Sequence, residues 1–85
     1  MDLAARFAAA QERVKTLAAA PSTDHLLALY ALYKQATTGD ALGKRPGMLD
    51  LKGRAKFDAW AGKKGLGKEA AMEAYAALVD KLVGG

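Results

Sequence analysis

The chain has 85 residues, 52% of them hydrophobic, with twenty alanines, no cysteine, no isoleucine and a single histidine, His25. One small domain spanning 1–85 is expected, with room for one core; disulfide frameworks, thiolate or His-rich metal sites, cysteine nucleophiles and disorder are excluded. The net charge of +4 is uneven: residues 44–68 hold eight basic residues against Asp50 and Asp58, a local +6, and the rest nets −2. An anionic partner is therefore expected at that stretch.

Alanine richness and the scarcity of β-branched residues predict an all-α chain. Leu3, Phe7, Ala10, Val14 and Leu17 repeat at helical spacing and form the stripe of a first helix. Ala18-Ala19-Ala20 resembles a signal cleavage site, but Gln11, Glu12, Arg13 and Lys15 interrupt the stretch before it, so no targeting segment is expected and the expected location is cytoplasmic. No uncharged run approaches the ~20 residues of a membrane span. Pro21 breaks the chain, and Ser22, Thr23 or Asp24 can cap a second helix running to about Thr38 and stopping at Gly39. Its apolar residues, from Leu26 to Ala36, cover more than one face. Such a helix is either central or covered on one side by a ligand.

Asp40 to Leu49 reads as a loop, marked by Gly43 and the Pro46-Gly47 pair. Asp50 caps a third helix over about 51–62, with Gly53, Phe57 and Trp60 on one side and Lys52 and Lys56 on another. Gly62, Gly65 and Gly67 punctuate its exit, with Lys63 and Lys64 suited to the helix C-terminal dipole. A fourth helix starts near Lys68, carries Met72, Tyr75, Ala76, Val79, Leu82 and Val83 on one stripe, and ends at Gly84-Gly85. The architecture is four helices with one longer loop.

Two helix faces carry candidate chemistry. Tyr30, Tyr33 and Lys34 share a face of the second helix and offer stacking rings, hydroxyls and an ammonium. The plain alternative is two core tyrosines with their hydroxyls at the rim. Lys52 and Lys56, at i and i+4, are like charges that an anion would stabilise. The plain alternative there is a solvated face partly relieved by Asp58. Together the two faces can converge on one phosphate-bearing ligand. The run Gly62 to Lys68 fits the start of a phosphate-binding loop, but Glu69 stands where Ser or Thr would bind magnesium, and no strand precedes it. His25 lacks a partner and reads as exposed or capping. No nucleophile–base pair or carboxylate pair stands out, so no enzymatic activity and no cofactor are expected.

The segments Leu29–Asp40 (LYALYKQATTGD) and Arg45–Trp60 (RPGMLDLKGRAKFDAW) closely resemble the acyl-CoA-binding protein family. Phe7, Val14, Leu17, Pro21, Ala71, Met72 and Tyr75 follow in register. The resemblance implies an up-down-down-up four-helix bundle that binds medium- to long-chain fatty acyl-CoA esters one to one, without catalysis, as a monomeric carrier and buffer. It implies that Tyr30, Lys34 and Lys56 hold the CoA 3′-phosphate and that Tyr33 lies against the adenine. Lys15, Lys52 and Tyr75 complete the implied site, and the acyl chain lies in a groove under the head group. Phe57 stands where many members carry Trp, and Gly67 where Ser or Thr would cap the fourth helix. The alternative is a basic helical module for nucleic acid or protein; the family reading expects neither nucleic-acid binding nor stable membrane insertion.

Overall fold

A computed structural model describes residues 2–84, and over them the chain forms four helices and no strand. They are α1 (Leu3–Val14), α2 (Thr23–Thr37), α3 (Leu51–Ala61) and α4 (Lys68–Gly84).

Local capping sets where the first three helices begin and where α1 ends. Asp2 Oδ1 accepts from the Ala5 amide at 2.7 Å and opens α1. The helix stops at Val14, one turn before the end of its apolar stripe, so Leu17 lies outside it. The Lys15 and Thr16 amides bond back three residues, to Glu12 and Arg13, and the Thr16 hydroxyl donates to the Arg13 carbonyl at 2.6 Å. These bonds satisfy the last carbonyls and close the helix early. Of the three candidate caps for α2, Ser22 is used: its hydroxyl accepts from the His25 amide at 3.3 Å. His25 Nδ1 lies 3.1 Å from the same hydroxyl, so the lone histidine belongs to the cap. Asp50 opens α3 by accepting from the Gly53 amide at 2.9 Å. A Cβ at residue 53 would run into that carboxylate, so the cap needs glycine there. α3 ends at Ala61 and places Lys63 and Lys64 just past its last turn.

α2 and α4 pack centrally; α1 rests on α4, and α3 on α2. The four helices thus lie in a flattened row, 39 × 29 × 15 Å. Side-chain contacts give their directions. Lys56 meets Tyr30 and Trp60 meets Gly39, so α2 and α3 run parallel. Gln35, late in α2, reaches Leu66 just before α4, so those two are antiparallel. The end of α1 meets the start of α2 around Val14 and Leu26. The order is up-down-down-up, as the resemblance implies.

The core is Phe7 and Ala10 of α1, Leu29, Leu32 and Ala36 of α2, and Ala71, Tyr75, Ala76 and Val79 of α4. Its alanines let the helices approach closely, and Val79 is fully buried. α3 buries nothing completely: Phe57 and Trp60 are half-buried. A polar latch joins the two loops at one end of the row. Gln35, buried, donates to Asp40 Oδ1 at 2.7 Å and to the Leu66 carbonyl at 2.8 Å. The Gly65 amide donates to the same Asp40 oxygen at 2.9 Å, from a backbone at φ +90° that favours glycine. These bonds, the Gly65 amide first, hold the Asp40 carboxyl below its ordinary pKa. On the other flank Arg6 and Arg13 both bond Asp80 and tie α1 to α4 at the surface.

Candidate functional site

The α1 and α2 backbones do not pack against each other, and the space between them is a groove of about 360 Å³. Val14, Pro21, Leu26 and Leu29 form its apolar walls, and Lys15, Tyr30, Tyr33 and Tyr75 add polar ends. Tyr75, on α4, is buried and stands edge-on to Phe7, with ring centroids 5.1 Å apart. Tyr33 closes on Phe7 from the α2 side at 6.1 Å. Burial first, and the neighbouring Tyr33 second, push the Tyr75 phenol above its ordinary pKa, so it stays a neutral hydroxyl. Lys15 caps the end of α1, and its ammonium makes an exposed 3.5 Å ion pair with Glu12, an arrangement of little energetic weight.

A second groove of about 360 Å³ lies between the N-terminal halves of α2 and α3. Lys52 and Lys56 line it together with Thr23, Leu26, Leu27 and Ala55. Leu26, 48% exposed, is a wall of both grooves. Lys56 also joins them, because its ammonium lies 5.4 Å from the centre of the Tyr30 ring. One turn further along α2, Lys34 lies 4.9 Å from the centre of the Trp60 ring. The Trp60 indole donates to the Gly39 carbonyl at 2.7 Å, which fixes that ring. Each of the two helices thus supplies a cation to an aromatic of the other.

The structure brings Lys15, Tyr30, Tyr33 and Tyr75 to the first groove and Lys52 and Lys56 to the second. Lys34 lies beside them against Trp60 rather than in either lining. The tyrosines of α2 are not core aromatics: Tyr33 is 40% exposed and Tyr30 half-buried, while Leu29, Leu32 and Ala36 turn inward. The reading of Asp58 as relief for Lys52 and Lys56 is corrected. Arg45 takes both Asp58 oxygens, at 2.8 and 2.6 Å. The bond to Arg45 holds the Asp58 carboxyl below its ordinary range and raises the Arg45 guanidinium. Among the described residues, Lys34, Lys52 and Lys56 therefore keep no carboxylate partner.

Trp60 was legible only as part of an apolar side of α3; its place beside Lys34 needed the α2–α3 pairing. The groove walls Leu26 and Leu29 had a signal in the excess apolar surface of α2, and Val14 in the apolar stripe of α1. Phe57 lines neither groove. Among the described residues, no three His, Cys, Asp or Glu gather as a metal site, and no helix is long and apolar enough to cross a membrane. The arrangement offers unpaired cations, stacking rings and phenolic hydroxyls beside apolar concavities. That combination suits an amphiphile with an anionic, aromatic-containing head.

Residues 4–79 match the family model described as Acyl CoA binding protein. The chain is 59% identical over 70 residues to "Acyl-CoA-binding protein homolog 1" of Caenorhabditis elegans, covering 82% of this chain and 81% of that one. It is 54% identical over 84 residues to "Acyl-CoA-binding protein homolog" of Manduca sexta, covering 98% and 93%. The crystal structure of Oryza sativa Acyl-CoA-Binding Protein 2 superposes with a TM-score of 0.92 at 43% identity, over 96% of this chain and 89% of that one.

Proposed function

Because the chain belongs to the acyl-CoA-binding protein family, we propose that it binds medium- to long-chain fatty acyl-CoA esters reversibly, without transforming them, and carries and buffers them in the cytoplasm as a monomer. The observation that carries this reading is the crossing of Lys56 with Tyr30 and of Lys34 with Trp60, beside two apolar grooves that share Leu26.

An acyl-CoA has several phosphate charges and an adenine at one end and a hydrocarbon tail at the other. Lys34 and Lys56 neutralise the 3′-phosphate, and the Tyr30 hydroxyl completes that site. Tyr33, open to solvent on one side, offers its ring to the adenine. Lys52 and Lys15 meet the remaining phosphates and polar head, and the neutral Tyr75 hydroxyl donates at the floor of the first groove. The aromatic contacts preorganise both ammoniums, so less side-chain freedom is lost when the phosphate arrives. The tail covers the exposed part of Leu26, and each buried CH₂ contributes about 0.8 kcal/mol until the groove is full.

Isothermal titration of delipidated protein with palmitoyl-CoA, beside free CoA and free palmitate, tests the reading. Tight one-to-one binding of the ester, with both halves far weaker and a negative heat-capacity change, is expected. Equal affinity for CoA and its ester would refute the tail groove, and no binding of the ester would refute the function.

A further inference from the structure

Met48 and Leu49 occupy the two corner positions of a turn that the Asp50 amide closes on the Gly47 carbonyl at 3.0 Å. Such corners ordinarily carry Pro, Gly, Asn, Asp or Ser, which suit the backbone and the solvent. Here they carry two large apolar side chains, 79% and 101% exposed, and Leu51 in the first turn of α3 is 75% exposed. None of the three belongs to the core or lines either groove. Lys44 and Lys52 flank the turn in the chain, both exposed and, among the described residues, without a carboxylate partner.

We infer that this turn is a membrane-docking tip: Met48, Leu49 and Leu51 enter the interfacial layer of an anionic phospholipid bilayer while Lys44 and Lys52 meet its headgroups. The shape and the charge select this occupant. Three side chains at a convex apex fall far short of the roughly 800 Å² per partner that a specific protein interface buries, and they offer no cleft for a partner's side chain. A bilayer moulds itself around a convex apolar wedge, and its anionic surface complements the flanking lysines. Lys52 also lines the α2–α3 groove, so docking brings the mouth of that groove to the surface where an amphiphilic ligand resides. Docking itself stands independently of the acyl-CoA reading; only this last consequence rests on it.

The expected attachment is weak and reversible. Each lysine near an anionic surface contributes roughly fivefold to partitioning, and each large apolar side chain roughly tenfold or more. Flotation with vesicles of equal parts phosphatidylcholine and phosphatidylserine should carry the protein, and phosphatidylcholine alone should carry much less. Added salt should weaken the binding. Met48→Ser/Leu49→Ser should lower the partition coefficient about a hundredfold, and Lys44→Gln about fivefold. Both variants should keep the palmitoyl-CoA affinity of the parent in solution, since neither changes a groove residue. Protein that stays in the aqueous phase, or a double variant that floats like the parent, overturns the inference. So does a concentration-dependent dimer in sedimentation velocity that the double variant abolishes, because the tip would then belong to a second copy. Vesicle binding that persists while palmitoyl-CoA fails to bind would support the tip and refute the ligand reading.

Discussion

Replacing Lys56 by Met keeps an unbranched stem and removes the charge, so it separates binding from folding. In the ligand complex the ammonium makes a charge-assisted contact to phosphate worth about 1.5–3 kcal/mol, or roughly 10- to 150-fold in affinity. The folded protein feels two smaller and opposed effects. The ammonium leaves the Tyr30 ring, 5.4 Å from its centre, which costs about 0.5–1 kcal/mol at an exposed site. The repulsion between Lys52 and Lys56 also disappears, a gain of about 0.2–0.5 kcal/mol. Net stability should therefore fall by less than about 1 kcal/mol while binding falls at least tenfold. Calorimetric titration with octanoyl-CoA, palmitoyl-CoA and free CoA, beside urea unfolding, measures both. The loss should be the same factor for all three ligands, because all three carry the same 3′-phosphate and the removed charge meets that group rather than the tail. A factor that grows with chain length would place Lys56 on the tail and refute the head-group assignment. A stability loss above about 2 kcal/mol would make it a structural residue.

Gln35→Glu would set a carboxyl against the Asp40 oxygen and the Leu66 carbonyl that now accept the Gln35 amide. The fold would hold that carboxyl protonated, with its pKa above the unfolded value of about 4.3. The variant should match the parent most nearly below that pH and lose stability as pH rises towards the folded value; a urea-midpoint difference that does not vary with pH would refute the latch. Trp60→Phe removes the 2.7 Å bond to the Gly39 carbonyl and should cost about 1 kcal/mol, read by circular dichroism in urea; an unchanged midpoint would show that the bond carries no weight. Asp40, Asp58 and Asp80 are held below the ordinary carboxylate range by the Gly65 amide, Arg45 and Arg13 respectively. Their stabilisation is present above the unfolded carboxylate pKa of about 3.9 and is lost as pH falls through the folded values. Asp40→Asn should therefore flatten the acid limb of the midpoint-against-pH profile, and an unaltered limb would count against the Gly65 contact.

The elements were legible because their causes are local. Ser22 and Asp50 cap from within three residues of the amides they bind, and the α4 stripe of Tyr75, Ala76 and Val79 is a matter of helical spacing. The early end of α1 was less legible. Its apolar period runs on to Leu17, but the hydroxyl of Thr16 competes for the carbonyl of Arg13, and a stripe count does not weigh that bond. The charged face of α3 is visible as Lys52 and Lys56, but the plain alternative, in which Asp58 partly relieves them, fails on a long-range contact. A neighbour two residues from Lys56 in the chain is drawn instead to Arg45, thirteen residues away, because a guanidinium donates to both carboxylate oxygens in one fork.

By itself the sequence determined the four helices, the Asp50 cap of α3, the concentration of positive charge at 44–68 and the placing of Tyr30, Tyr33 and Lys34 on one helical face. Helical period and capping act over a few residues and are written in the chain. Only the tertiary structure decided that α1 and α2 stand apart over Tyr75 and leave a groove, that Leu26 joins this groove to the one lined by Lys52 and Lys56, and that Lys34 meets Trp60 while Lys56 meets Tyr30. Those relations depend on which helices pack together and in which direction, and packing is settled by the summed burial of faces far apart in sequence.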